Sequence, residues 1–164
     1  MKFRIENRFR GISLAAYEKL YFDEPFNEAM CKALGLQRTL VERKDEGGKM
    51  RRGVRVSPDR EIPGPVQKVL GGAKIEYTEH VDYTAGSGRG TWKTISSLLT
   101  DKVDSKGSIA FAERGGHIER VVDGEIKVAI FGLGGLVEKF IVADVEKSYE
   151  KAAQFTQQWI DKKA

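Results

Sequence analysis

Cysteine is almost absent. Cys31 is the one thiol in 164 residues, which excludes an internal disulfide and a cysteine-rich metal site. Histidine is nearly as scarce: only His80 and His117 are present. They share no ligand spacing, and nothing beside either one supplies a triad's nucleophile and orienting acid, so neither a metal nor a catalytic residue is expected. No long apolar run exists. The longest uncharged one, Val128 to Val137, has about 10 residues, against the roughly 20 that a bilayer span needs. The opening segment, MKFRIENRFRG, alternates charged with apolar residues and lacks an apolar signal core, so a cytoplasmic, reducing setting is expected. Aromatics are missing between Arg43 and Arg60, where Arg43, Lys44, Lys49, Arg51, Arg52, Arg55 and Arg60 form a basic run. Without stacking platforms between these charges, single-stranded nucleic acid is not an expected partner. The run is either a solvated sheet face or a transient contact for an anionic membrane surface. The net charge of +4 is too small to decide.

What is present is periodicity. From Leu133 to Lys162, apolar residues recur at three- and four-residue steps: Leu133, Leu136, Val137, Phe140, Ile141, Val145, Tyr149, Ala152, Ala153, Thr156, Trp159 and Ile160. That stripe predicts one long helix with a single apolar face, which needs a broad partner surface. Most of the upstream chain alternates with period two and reads as strands. Met1 to Arg10 puts Phe3, Ile5 and Phe9 on one face, with Asn7 among them. Ser13 and Asp23 are N-caps for two short helices, the second ending at Gly35. Leu36–Glu46 and Lys49–Val56 flank Gly47-Gly48 as a hairpin. Ile62 to Gly72 holds a short apolar helical turn behind Pro63 and Pro65. Four further strands are expected at Lys74–Tyr83, Thr91–Lys102, Ser108–Arg114 and His117–Phe131, joined as an antiparallel meander.

The expected fold is therefore α+β. A curved antiparallel sheet of about seven strands, in β-α-α-β(6)-α order, grips the last helix within one domain over 1–164. Gly132-x-Gly134 after a strand mimics a dinucleotide-binding turn. Val137 occupies the third glycine position, and no chain remains for a second parallel strand, so no nucleotide cofactor is expected. The glycines read instead as a sharp strand-to-helix turn that starts the helix close to the sheet.

Charges on apolar faces are the informative chemistry. Glu79 alternates with Tyr77, Val81 and Tyr83; Arg120 shares a face with Ile118 and Val122; Glu113 aligns with Ile109 and Phe111. In a packed core such charges are costly unless paired. Either they face a cavity, or the strands bulge or overhang the sheet and expose them.

The element order resembles the helix-grip, START-like fold of the SRPBCC superfamily, which includes the birch pollen allergen, polyketide cyclases and lipid-transfer domains. From Ile62 on, IPGPVQKVLGGAKIEYTEHVDYTAG, TWKTISSLL and the Gly-rich entry to the last helix resemble the PRELI/MSF1 lipid-transfer family and a related uncharacterised bacterial group. The resemblance implies a cavity for a lipid or other hydrophobic small molecule, with Pro63, Val66, Val69 and Leu70 in a lid. Tyr77, Glu79, Phe111, Arg120, Val137 and Phe140 are the expected ligand-binding residues. A cyclase or hydrolase with Glu79 or Glu113 as acid–base, and a ligand-free interaction module, are the alternative readings.

Overall fold

A computed structural model describes residues 1–59 and 61–163. The elements are β1 (Lys2–Phe9), α1 (Leu14–Tyr21), α2 (Glu24–Ala33), β2 (Leu36–Glu46), β3 (Lys49–Pro58), α3 (Gly64–Leu70), β4 (Tyr77–Thr84), β5 (Arg89–Ser96), β6 (Val103–Arg114), β7 (His117–Val128) and α4 (Gly134–Lys163). All seven strands form one antiparallel sheet in the order β1-β7-β6-β5-β4-β3-β2. Consecutive strands pair from β2 to β7, with α3 inserted between β3 and β4, and β1 closes the far side against β7. Arg60, the last member of the basic run, lies outside the described residues.

Local signals account for the element ends. The Ser13 hydroxyl accepts from Ala16 N at 3.1 Å, and the Asp23 carboxylate from Phe26 N at 2.9 Å, which satisfies orphan donors at the starts of α1 and α2. Gly47 and Gly48 carry positive φ values of 60° and 77°, the geometry a tight hairpin requires.

α4 spans the inner face of the sheet and packs chiefly on β1 and β7. Both of its ends are pinned. At the start, a Cβ on Gly134 would stand 2.3 Å from the Val128 carbonyl oxygen, so only glycine lets the helix leave the strand this closely. The Glu138 carboxylate accepts from Val128 N at 2.9 Å beside it. At the other end, the Gln157 side chain accepts from Arg10 N at 2.9 Å and donates to Arg10 O at 3.1 Å. Phe3, Phe9, Ile109, Ile118, Val122, Ile126, Val137 and Ile160 are buried between the layers.

Several expectations are corrected. β5 ends at Ser96 rather than running to Lys102, and β6 begins at Val103 rather than Ser108. β7 stops at Val128, and Phe131 stands fully in solvent at 104% exposure. Leu136 belongs to the sequence stripe but is exposed, whereas Val142, outside the stripe, is buried. The helix entry is set by the Gly134 approach, and this turns Leu136 away from the sheet. Trp159 packs edge-on against Phe26 of α2 at 5.4 Å, so its partner is a helix and not the sheet.

Gly134→Ala is expected to lower stability by about 1–3 kcal/mol, the usual cost of overpacking a site that must shift its backbone. Urea unfolding of the two proteins measures it, and an unchanged midpoint would show that α4 does not depend on this close approach.

Candidate functional site

The sheet and α4 are not in contact along their whole length. Between them lies a cavity of about 180 Å³. Its sheet wall is Phe3, Tyr77, Glu79, Trp92, Val122 and Ile126, and its helix wall is Val137, Phe140, Ile141, Asp144, Val145, Ser148 and Tyr149. The helix residues step by three and four, so they are one face of α4. α3 closes one side through Val66 and Leu70. A larger groove over the outer sheet face, along Lys49, Arg51, Asp82, Arg89 and Thr91, is open to water and lacks the enclosure that binding of an apolar molecule needs.

Of the expected ligand-binding residues, Tyr77, Glu79, Val137 and Phe140 line this cavity. Phe111 and Arg120 do not. Phe111 sits in an aromatic cluster with Tyr17, Tyr21 and Tyr83, at ring separations of 5.1, 4.9 and 5.7 Å. Arg120 is buried at 4% exposure and spends its donors on the protein. Register sets it opposite Asn7 on β1. Its Nη2 donates to Asn7 Oδ1 at 2.8 Å and its Nη1 to the Tyr17 hydroxyl at 3.2 Å. The rings of Phe9 and Tyr149 lie 5.2 and 5.1 Å from the guanidinium. This explains Asn7 on an apolar face: the two polar side chains satisfy each other across β1 and β7. Glu113 is exposed near the end of β6, so for it the overhang reading holds, and it takes no part in the cavity. In the expected lid, Val66 and Leu70 reach the cavity, Val69 packs on the core, and Pro63 precedes the helix as its N-cap.

Glu79 is partnered by a member of the basic run. Arg52 is 4% exposed, and its Nη2 stands 3.8 Å from Glu79 Oε1. Pairing of β3 with β4 sets Arg52 opposite Val81, so Glu79 is its diagonal neighbour on the inner face. Arg52 also donates to Tyr21 O at 3.2 Å and lies over the Tyr21 and Phe22 rings at 5.4 and 5.1 Å. The sequence carries a signal for this: Arg52 alternates in step with Met50, Val54 and Val56. Four other members of the basic run are paired with carboxylates. Arg43 meets Asp45 at 3.3 Å, Lys44 meets Glu46 at 3.7 Å, Arg51 meets Asp82 at 2.8 Å and Arg55 meets Glu76 at 3.9 Å.

Phenols surround this polar end. Burial raises Tyr21 to about 12 against the lowering pull of Arg52. Burial likewise raises Tyr17 and Tyr149, in both cases against Arg120. A raised phenol stays neutral in the folded chain after it would ionise in the unfolded one. Its stabilisation is complete below pH about 10 and is lost as pH rises through the folded value of about 12. Stability is therefore expected to fall over that window by up to about 1.4 kcal/mol per pH unit for each such phenol. Tyr21→Phe should make the fall shallower in denaturant titrations at stepped pH. An identical pH slope would contradict the assignment.

Arg120→Met is expected to cost about 1–3 kcal/mol, because it strands the Asn7 carbonyl and the Tyr17 hydroxyl. Adding Asn7→Leu should recover part of that loss. Thermal unfolding of the single and double variants measures the coupling, and strict additivity would reject it.

Comparison with solved structures shows the fold. TTHA0849 from Thermus thermophilus superposes with a TM-score of 0.70 at 16% identity, covering 100% of this chain and 99% of that one. The Zhui aromatase/cyclase of Streptomyces gives 0.66 at 11% identity, covering 98% and 94%. Ara h 8.0201 gives 0.64 at 11% identity, covering 98% and 97%. At these identities the likeness is one of fold, and the fold is the helix-grip type. No curated protein matches the sequence. The model of one family, described as "Protein of unknown function (DUF2505)", matches residues 7–160.

Proposed function

The chain belongs to the DUF2505 family, whose description assigns no activity, and we propose from its cavity that it binds and carries a small hydrophobic molecule between the sheet and α4. The observation that supports this is the partly enclosed, largely apolar space in a fold that otherwise buries its side chains well. Closely packed interiors leave few voids larger than a water molecule. Filling this one with an apolar ligand gains roughly 25 cal/mol per Å² buried, less the cost of association.

Size narrows the occupant. The cavity holds about 180 Å³. An apolar cavity of about 150 Å³ accepts benzene, and sites for drug-sized molecules run to roughly 300–1,000 Å³. With α3 in place, a substituted single ring or a short chain fits, and a whole two-chain lipid does not. α3 is the lid in this reading. Pro63 and Pro65 stiffen its entry, while Gly71 and Gly72, at φ of 61° and 78°, form its exit. Larger ligands require α3 to swing away from Val66 and Leu70. An anionic membrane contact finds little support, since Arg43, Lys44, Arg51 and Arg55 are already paired with carboxylates. Of its two acid–base candidates, the enzyme alternative keeps Glu79 and loses Glu113, which lies outside the cavity.

Native mass spectrometry and solvent extraction of the purified protein identify any retained molecule. Calorimetry with butylbenzene tests the cavity directly. Val137→Trp should fill it and abolish heat of binding while the circular dichroism spectrum is unchanged. Hydrogen exchange at Val66–Leu70 should slow when butylbenzene is added to the wild-type chain. Binding that survives Val137→Trp undiminished would place the ligand elsewhere.

A further inference from the structure

Within the binding reading just given, on which this step rests, we infer that the ligand ends in a neutral hydroxyl, an alcohol or phenol, that donates its hydrogen to Glu79. Three observations carry this. The Glu79 side chain is 29% exposed and lines the cavity. It accepts no hydrogen bond from any described residue; its one close partner is Arg52, at 3.8 Å from one oxygen. Arg52 fixes the position of the carboxylate and leaves its lone pairs toward the cavity unused.

An ionised carboxylate only accepts hydrogen bonds. A ligand that ends in a ketone or an ester offers it nothing. A ligand carboxylate would set two anions against each other in a poorly solvated space. An ammonium group satisfies Glu79 but meets the opposite problem. Arg52 and Arg120 are both buried on the sheet side, and both act on the Tyr21 phenol, so an ammonium group beside Glu79 would be repelled by two guanidiniums. The neutral hydroxyl avoids both repulsions and supplies the missing donor. Its apolar body then runs along Ile126, Val137 and Phe140. Arg120 cannot serve as a headgroup anchor, because Asn7 and Tyr17 hold its donors.

The test is a series with one apolar body: p-butylphenol, butylbenzene, p-butylbenzoate and p-butylbenzylammonium. Calorimetry near neutral pH is run on the full chain and on Glu79→Gln and Glu79→Leu. p-Butylphenol should bind the wild type roughly tenfold to a hundredfold more tightly than butylbenzene, the worth of a hydrogen bond to a charged acceptor. The two charged ligands should be the weakest. The phenol preference should shrink in Glu79→Gln and vanish in Glu79→Leu. If Glu79→Leu fails to fold, because it leaves Arg52 unpaired, the drop in Glu79→Gln decides. Equal binding of phenol and butylbenzene to the wild type, strongest binding of the benzoate or the ammonium, or a preference unchanged in Glu79→Gln overturns the hydroxyl assignment and leaves the binding reading standing. No binding of any of the four to the folded wild type overturns both.

Discussion

The structure depends on how α4 is fastened to the sheet. A 30-residue helix is a nearly straight rod, and the sheet beneath it twists and curves. The two surfaces cannot touch everywhere. Contact is enforced at the ends. Gly134 lets the helix begin against the Val128 carbonyl, Glu138 caps Val128 N, and Gln157 clasps the Arg10 backbone at the far end. Between these fastenings the helix bridges the inner face of the sheet, and the cavity is the space it spans.

Charge inside the molecule is organised by the same geometry. Arg120 and Arg52 both lie on the inner face, and each is stabilised differently. Arg120 is surrounded by neutral acceptors and aromatic faces, so its charge is held without a carboxylate. Arg52 uses a carbonyl, two aromatic rings and Glu79. A buried charge without partners would cost several kcal/mol, which is why each guanidinium has a constructed surround. The difference is functional in the proposed reading. One arginine is consumed by the core, while the other holds a carboxylate whose remaining acceptor capacity belongs to the cavity.

The outer face is built to different rules. Several of its charges pair with opposite charges on neighbouring strands, as in Arg51 with Asp82 and Arg4 with Asp123 at 3.0 Å. Exposed pairs of this kind add little stability. The free edge at β2 is strongly charged and is interrupted by a bulge between Leu40 and Glu42, two devices that discourage further strand pairing.

The sequence by itself determined the element order and the strand faces, with Glu79, Arg120 and Asn7 on the apolar ones. Period-two and period-3.6 patterns report which residues share a face, because a side chain's face follows from its position in the element. The glycine turn before α4 was legible for the same local reason. Only the tertiary structure decided partners. Arg52 read as one of seven basic residues until β3 paired with β4 and set it beside Glu79. Arg120 and Phe111 faced inward as expected, yet α1 brought Tyr17 against both, so they became core rather than lining. Trp159 and Leu136 kept their places on the helix but not their neighbours. Periodicity fixes the direction in which a side chain points; what it meets there depends on contacts distant in sequence, such as Arg120 with Asn7, which no local pattern encodes.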